Sequence, residues 1–122
     1  MGRLSYENGK TGEEIAVQYI TDQGYQVIER NFRSRQGEID IIARDKQTLV
    51  FIEVKNYSFR SYGSHVGAVR KAKKESIIHA AGTYIYEKNI KNTFCRFDVV
   101  TIYHAFGKEP KIEHYKNAFF VN

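Results

Sequence analysis

The sequence is poor in the residues that cross-link a chain or break its elements: its 122 residues include one cysteine and one proline. The single cysteine, Cys95, excludes an internal disulfide and is typical of a reducing compartment. No apolar run approaches the roughly 18 residues that cross a membrane, and residues 1–10 contain no stretch typical of a secretory signal. With no repeat, low-complexity tract or linker, the sequence predicts one soluble, cytoplasmic domain over residues 1–122 that binds no membrane.

Apolar and basic side chains, in contrast, are plentiful. Hydrophobic residues make up 42% of the chain and aromatic residues 14%, which predicts a folded core rather than disorder. The net charge is +5, because 19 lysines and arginines outnumber 14 acids. This excess favours a polyanionic partner only weakly, since many basic proteins bind no nucleic acid.

The hydrophobic pattern predicts an α/β sandwich around one mixed sheet, because a helix and three strands are followed by a helix and a further strand. Thr11 and Glu14 have the spacing of a capping box, and Gly24 suits a helix end. Helices are predicted over residues 11–23 and 66–89, strands over 25–33, 38–44, 49–55, 94–103 and 111–115, a loop over 56–64 and an apolar tail over 117–121. Alternation predicts one shared face for Ile39, Ile41 and Ala43, and one for Val50, Ile52 and Val54.

Four carboxylates interrupt otherwise apolar strands: Glu38, Asp40, Glu53 and Asp98. A charge in such a position is unfavourable unless another charge or a metal ion pairs with it. The turn at residues 45–48 has its centre near residues 46–47, and this register places Asp40 near Glu53. Two carboxylates that close repel unless a cation lies between them, and their oxygen ligands suit magnesium better than zinc.

Lys55 lies two residues beyond Glu53, on the same strand face and about 7 Å further along. From there it could hold an attacking water or stabilise the extra charge of a transition state. An ordinary ion pair between Glu53 and Lys55 on an exposed sheet surface is an equally good explanation of the spacing.

Two other acids have ordinary explanations. The helix dipole favours an acid in a first turn, but because Glu14 already has the capping role, Glu13 is also a candidate for the site. Asp98 follows Arg96 on one strand face, which favours a buried ion pair over a ligand. The four histidines have no zinc spacing, and His65 lies in the predicted loop, where a solvated role is the common one.

A basic run follows the hairpin, with six lysines or arginines and no acid between Lys55 and Lys74. Interleaved aromatics make such a run typical of a surface that binds a nucleic-acid backbone. A solvated helix face is the common alternative, and the position of the run directly after the acid pair favours nucleic acid. The residues predicted to bind it are Arg33, Arg35, Arg60, Arg70, Lys71, Lys73 and Lys74.

These residues carry a resemblance to known nucleases. Asp40, followed by Glu53-Val54-Lys55 in the next strand, resembles the PD-(D/E)xK signature of restriction-endonuclease-like proteins, with Ile39 in place of the proline. A wider set of motifs resembles the YraN-like family of small bacterial predicted endonucleases, which are related to archaeal Holliday junction resolvases. That set covers about residues 8–121 and includes Gly12-Glu13, Ala16, Tyr19, Gly24-Tyr25, Asn31, GEID at 37–40, FIEVK at 51–55, Lys73 and RFDVV at 96–100.

The resemblance implies a restriction-endonuclease-like α-β-β-β-α-β fold and an endonuclease that needs Mg²⁺ or Mn²⁺ and cuts DNA, including branched DNA. Asp40, Glu53 and Lys55 would be catalytic, with Glu13 as an additional helix acid, and Lys73 would meet a phosphate. The implied metal-binding residues are Asp40, Glu53, Val54, Glu13 and Glu38.

Three matters stay open at this point. Glu38 either binds a second metal or only orients the ligands of the first. Resolvase-like nucleases commonly act as homodimers, but a dimer surface cannot be recognised in the sequence. The alternative function is a nucleic-acid-binding module of the same fold without catalysis, and a protein-interaction scaffold is a third hypothesis.

Overall fold

The computed structural model describes residues 11–58, 69–104 and 107–119. These residues form one five-stranded sheet whose strands are adjacent in chain order. The third and fourth strands are parallel and the other neighbouring pairs are antiparallel, which confirms the predicted mixed sheet. The elements are α1 (Gly12–Asp22), β1 (Gln26–Arg33), β2 (Glu38–Asp45), β3 (Thr48–Ser58), α2 (Lys71–Glu87), β4 (Cys95–His104) and β5 (Lys111–Phe119).

Each face of the sheet buries its own apolar core under one helix. Along β3, Val50 and Ile52 pack with α1, whereas Leu49 and Phe51 pack with α2, which confirms the alternation predicted for this strand. The structure is therefore an α/β sandwich, consistent with the restriction-endonuclease-like fold. Because β3 has a neighbour on each side and a helix over each face, a charged residue within it is set among apolar surroundings.

The predicted alternation of β2 is wrong at one residue. Ile41 and Ala43 pack in the core under α1, but Ile39 packs with Phe32 in the core under α2. A regular strand would place Ile39 on the same face as Ile41. The break in alternation therefore falls at Asp40.

A left-handed residue on the neighbouring strand accompanies this break. Asn31 has a φ of 55°, where asparagine is among the better tolerated residues. Arg30 and Asn31 both hydrogen-bond to α1, while Phe32 lies in the core under α2. The side chains of β1 thus change from the α1 face of the sheet to the α2 face next to Asn31, which lies opposite Asp40.

α1 begins with the predicted capping box. The Glu14 N–H donates to Thr11 Oγ1 at 3.0 Å, and the Thr11 N–H donates to Glu14 Oε1 at 2.8 Å. Gly24 has a φ of 96° just after the helix, as predicted for its end. At the other end, a Cβ on Gly12 would collide with the Asn56 side chain, so this glycine lets α1 approach β3 closely. No helix in the part of the chain that the structure describes is long and apolar enough to span a membrane.

β3 is longer than predicted. Asn56 and Tyr57 were expected in a loop, but they pair with Ile102 and Tyr103 of β4 and extend the strand to Ser58. Their hydrogen bonds are made with β4, a parallel strand far along the chain, and no local sequence pattern predicts such a partner.

Two further element limits differ. α2 begins at Lys71 rather than at residue 66, because Arg70 has an extended backbone with a ψ of 153°. β5 continues past residue 115 to Phe119, which is buried in the core under α2, so part of the predicted tail belongs to the sheet.

Candidate active site

The carboxylates of Asp40 and Glu53 lie where the pairing of β2 and β3 ends. Ile41 pairs with Ile52, and the same register continued by one residue places Asp40 opposite Glu53, as the position of the turn predicted. There Asp40 Oδ2 accepts a hydrogen bond from the Val54 N–H at 2.8 Å. This bond holds the Asp40 carboxylate against β3, beside Glu53.

Glu53 is the most buried carboxylate of this group, with 8% of its surface exposed. Its Oε1 is buried and receives no hydrogen bond from a described N–H or hydroxyl group. Burial, and then the charge of Asp40, raises the pKa of Glu53 from 4.5 to about 7. Burial also raises the pKa of Asp40, against the lowering effect of the Val54 hydrogen bond. The two groups are close enough to share a proton, and a cation would relieve their repulsion.

Two lysines face this acid pair. The Lys73 Nζ, from the first turn of α2, lies 3.8 Å from Glu53 Oε2. The charges of Lys73 and Lys55 both favour the ionised form of Glu53, and Lys73 has the larger effect. An ordinary surface ion pair between Glu53 and Lys55 therefore does not describe the site, since Glu53 is buried and its ion-pair contact is with Lys73.

Glu13 reaches the same region from the first turn of α1. Its Oε1 accepts hydrogen bonds from Arg30 Nη2 at 2.8 Å and from Asn31 Nδ2 at 3.1 Å. Its charge adds to the effect of burial in raising the pKa of Asp40. Glu13 is thus near the pair, as predicted, but is oriented by two residues of β1.

The acid pair has the donor set that magnesium commonly uses. This ion is usually held by one or two carboxylates together with waters and substrate phosphates, rather than by a cage of protein ligands. Asp40 and Glu53 supply two such carboxylates, and the unpaired Oε1 of Glu53 is an oxygen that a cation would satisfy. Across residues 11–58, 69–104 and 107–119, no three His, Cys, Asp or Glu side chains gather into a metal-holding cluster.

The other predicted metal-binding residues have different surroundings. Glu38 is half exposed and its Oε2 lies 3.4 Å from Arg33 Nε. Val54 contributes the N–H that holds Asp40. Glu13 is oriented by Arg30 and Asn31, and its charge raises the pKa of Asp40.

Those of the predicted nucleic-acid-binding residues that the structure describes separate into three groups. Arg33, Arg35 and Lys73 line a groove with a volume of about 420 Å³ beside the acid pair. Lys74 is turned away from it, with its Nζ 5.9 Å from the centre of the Phe119 ring. Arg70 and Lys71 are exposed at the start of α2, and Arg60 and His65 lie outside the described residues.

Comparison with known sequences identifies the family. The model of the family described as "Uncharacterised protein family UPF0102" matches residues 12–102. The chain belongs to the UPF0102 family. It is 42% identical to a UPF0102 protein of Chlorobium phaeobacteroides over 98% of both chains. A UPF0102 protein of Persephonella marina is 42% identical over 95% of this chain and 96% of the relative. These matches confirm the resemblance to the YraN-like family, and neither relative is named for an activity.

In this UPF0102 protein Asp98 is the centre of a buried network. Asp98 is fully buried, and Arg96 donates to both of its carboxylate oxygens at 2.9 and 3.1 Å. His114 Nε2 lies 2.7 Å from Oδ2, and the Asn117 N–H donates to Oδ1 at 3.0 Å. The predicted buried ion pair of Arg96 and Asp98 is confirmed, and Asp98 is saturated with partners of its own.

The same arginine links this network to the rest of the sheet. Arg96 Nη1 lies 3.2 Å from Asp45 Oδ2, at the end of β2, and Nη2 donates to the Tyr25 hydroxyl at 2.6 Å, next to β1. Because its partners lie on β2, β4 and β5, the network ties distant strands of the UPF0102 fold together.

The sequence interpretation missed two parts of the site. Arg30 and Asn31 orient Glu13, although Arg30 occurs in the arginine cluster noted in the sequence and Asn31 in the family pattern. Ser76, whose hydroxyl donates to the Gln36 carbonyl at 3.1 Å and so attaches the β1–β2 turn to α2, has no sequence signal at all.

Proposed function

We propose that this UPF0102 protein is a divalent-metal-dependent endonuclease that hydrolyses phosphodiester bonds in DNA. The observation that carries the proposal is the buried acid pair of Asp40 and Glu53, in which Glu53 Oε1 has no described donor. Such a pair opposes folding, because two neighbouring carboxylates in a desolvated place repel each other. Stability is commonly sacrificed in this way at sites whose ligand compensates for it.

Asp40 and Glu53 would hold Mg²⁺ or Mn²⁺ at the end of the β2–β3 hairpin. When bound, the ion would supply positive charge at the scissile phosphate and lower the pKa of a water molecule. The Val54 N–H keeps Asp40 in position for this role through a hydrogen bond of 2.8 Å.

The lysines and Glu13 would complete the site. Lys55, whose charge favours the ionised form of Glu53, would stabilise the negative charge that develops on the phosphate in the transition state. Lys73 neutralises part of the charge of Glu53 and also lines the neighbouring groove, so it can contact both the acid pair and the substrate. Glu13, fixed by Arg30 and Asn31, adds negative charge to the region where the cation would bind.

A DNA-binding module without catalysis is the alternative. It accounts for the net charge of +5 and for the basic groove. It offers no role for the acid pair, which would repel a phosphate backbone and which the fold holds at a cost. The endonuclease hypothesis assigns a role to both features.

Cleavage of a panel of duplex, flap and four-way-junction DNA with Mg²⁺ or Mn²⁺ tests the proposal. We expect metal-dependent cleavage of at least one substrate, with preference for a branched one, and none in EDTA. Lys55→Gln should slow cleavage about 100-fold or more, because one stabilising group in the transition state typically contributes that much. Lys46→Gln, which removes the same charge from the exposed β2–β3 turn, is the matched control and should cleave normally.

Two results would contradict the proposal. Binding of DNA that ignores metal ions, with no cleavage of any substrate in the panel, would favour the binding module. Equal cleavage by the two lysine variants would remove Lys55 from the reaction.

A further inference from the structure

A groove lies directly beside the acid pair, between the β1–β2 turn and the first turns of α2. Its volume is about 420 Å³, and every residue that lines it other than Gly37 has a polar side chain. Lys73 connects the groove with the acid pair, because it lines the groove and its Nζ is 3.8 Å from Glu53 Oε2. The lining residues are Arg33, Ser34, Arg35, Gln36, Gly37, Glu38, Lys73 and Ser76.

Hydrogen bonds fix the shape of this groove. The Ser34 N–H donates to the Gly37 carbonyl at 2.8 Å and closes the turn, and the Ser76 hydroxyl donates to the Gln36 carbonyl at 3.1 Å. Gly37 allows the close approach, because a Cβ there would collide with the hydroxyl and the carbonyl oxygen of Ser76. The turn is thus packed on α2, and contacts within the protein hold this wall of the groove in place.

The charge of the groove suits an anion. Three cations, Arg33, Arg35 and Lys73, line it against the single carboxylate of Glu38. Glu38 pairs with Arg33 at 3.4 Å and compensates part of that charge. Arg35 is exposed and forms no ion pair with any residue in the described ranges. Its planar guanidinium can therefore make paired hydrogen bonds to a phosphate, which are the contacts that arginine is best suited to form.

We infer that this groove binds a second backbone phosphate of the DNA strand that is cut, with Arg35 as its principal contact. The inference rests on the proposed function and adds a binding site to it. Glu38, in the groove, and Asp40 are two residues apart on β2, which corresponds to about 7 Å. Each nucleotide of a B-form strand advances about 3.4 Å along the helix axis, and successive phosphates lie further apart than this rise because they also wind around the axis. Two linkages are therefore the upper limit that we expect between the second phosphate and the cleaved bond.

The test measures binding rather than cleavage. A short synthetic DNA duplex is prepared in a series in which one phosphate at a time is replaced by a neutral methylphosphonate, and affinities are measured in EDTA. We expect one neutral linkage, within two of the bond that is cut with metal, to weaken binding to the wild-type protein about tenfold, the effect of one charge-assisted hydrogen bond. Arg35→Gln should bind the unmodified duplex about tenfold more weakly and should be insensitive to that linkage.

Lys46→Gln is the control, because it removes one positive charge from the exposed turn at the opposite end of β2. It should lower affinity only slightly and keep the full response to the neutral linkage. An Arg35→Gln protein that binds every duplex as the wild type does overturns the inference, and so does a sensitive linkage more than two positions from the cut. If neither this duplex nor any substrate of the cleavage panel is cut, the proposed function fails, whereas a single linkage whose effect depends on Arg35 still supports a phosphate site in the groove.

Discussion

We expect the Glu53→Gln variant to lose phosphodiester cleavage while unfolding at a higher temperature than the wild-type protein. Cleavage should fall at least about 100-fold, because the variant removes one of the two charges that hold the metal ion in the proposed reaction. Stability should rise by about 1–3 kcal/mol, because the charge removed is buried beside Asp40 and its Oε1 has no described donor. Cleavage rates and thermal unfolding, measured on the same preparation, check both parts.

Because cleavage should fall while stability rises, a loss of activity in this variant cannot be attributed to unfolding. Asp40→Asn should behave like Glu53→Gln in cleavage, but it should stabilise the fold less, since Asp40 is more exposed. Glu109→Gln is the matched control, because Glu109 is exposed in the turn before β5 and should change neither property. A Glu53→Gln protein that cleaves normally would remove Glu53 from the reaction, and one that is both inactive and less stable would contradict the account of the acid pair.

The pH dependence of stability tests the same cause. Glu53 has a pKa of about 7 in the folded protein and an ordinary value of 4.5 in the unfolded chain. Between these two values the folded state holds a proton that the unfolded chain releases. The stability that protonated Glu53 contributes is therefore complete below pH 4.5 and is lost as the pH rises to about 7. In the absence of metal, the free energy of unfolding of the wild-type protein should fall by about 3 kcal/mol relative to that of Glu53→Gln across this interval.

Asp98→Asn should cause the largest loss of stability among the strand acids. The variant keeps the shape of the side chain but removes the charge that Arg96 contacts twice and that lies 2.7 Å from His114. Breaking a buried ion pair by removing one partner costs about 3–5 kcal/mol. The free energy of unfolding in urea at pH 7 is the measurement, and Asp22→Asn, the same substitution at the exposed end of α1, should change it little.

The stability that Asp98 contributes depends on pH in the opposite direction to that of Glu53. Burial alone would raise the pKa of Asp98, but hydrogen bonds from His114, Arg96 and the Asn117 N–H hold it below its usual value. Its contribution to stability is present above the ordinary pKa of 3.8 and is lost as the pH falls through the lower value of the folded state. A stable Asp98→Asn protein would contradict the structural role, and a folded variant that had lost metal binding would make Asp98 part of the active site.

The hairpin was the part of the fold that local patterns predicted best. Val50, Ile52 and their neighbours alternate cleanly, and the polar turn between the strands places Asp40 opposite Glu53. Register within a hairpin depends on the turn and on the alternation of apolar residues, and both are local. This is why the acid pair could be recognised before the structure was known.

The parts that failed depend on partners remote in the chain. Ile39 changes face where Asn31, on another strand, adopts a left-handed conformation and where Asp40 bonds to the Val54 N–H. The partners of Asp98 beyond Arg96 come from β5 and could not be foreseen for the same reason: His114 lies sixteen positions further along the chain. Local propensity carries no information about such contacts.

The most direct test of the central claim is a crystal soaked in Mn²⁺, with the anomalous scattering of the metal recorded. The account predicts a peak between the carboxylates of Asp40 and Glu53, and no peak there in crystals of Asp40→Asn. An ordered β2–β3 hairpin without a peak at this position would contradict the proposal that the acid pair holds the catalytic metal.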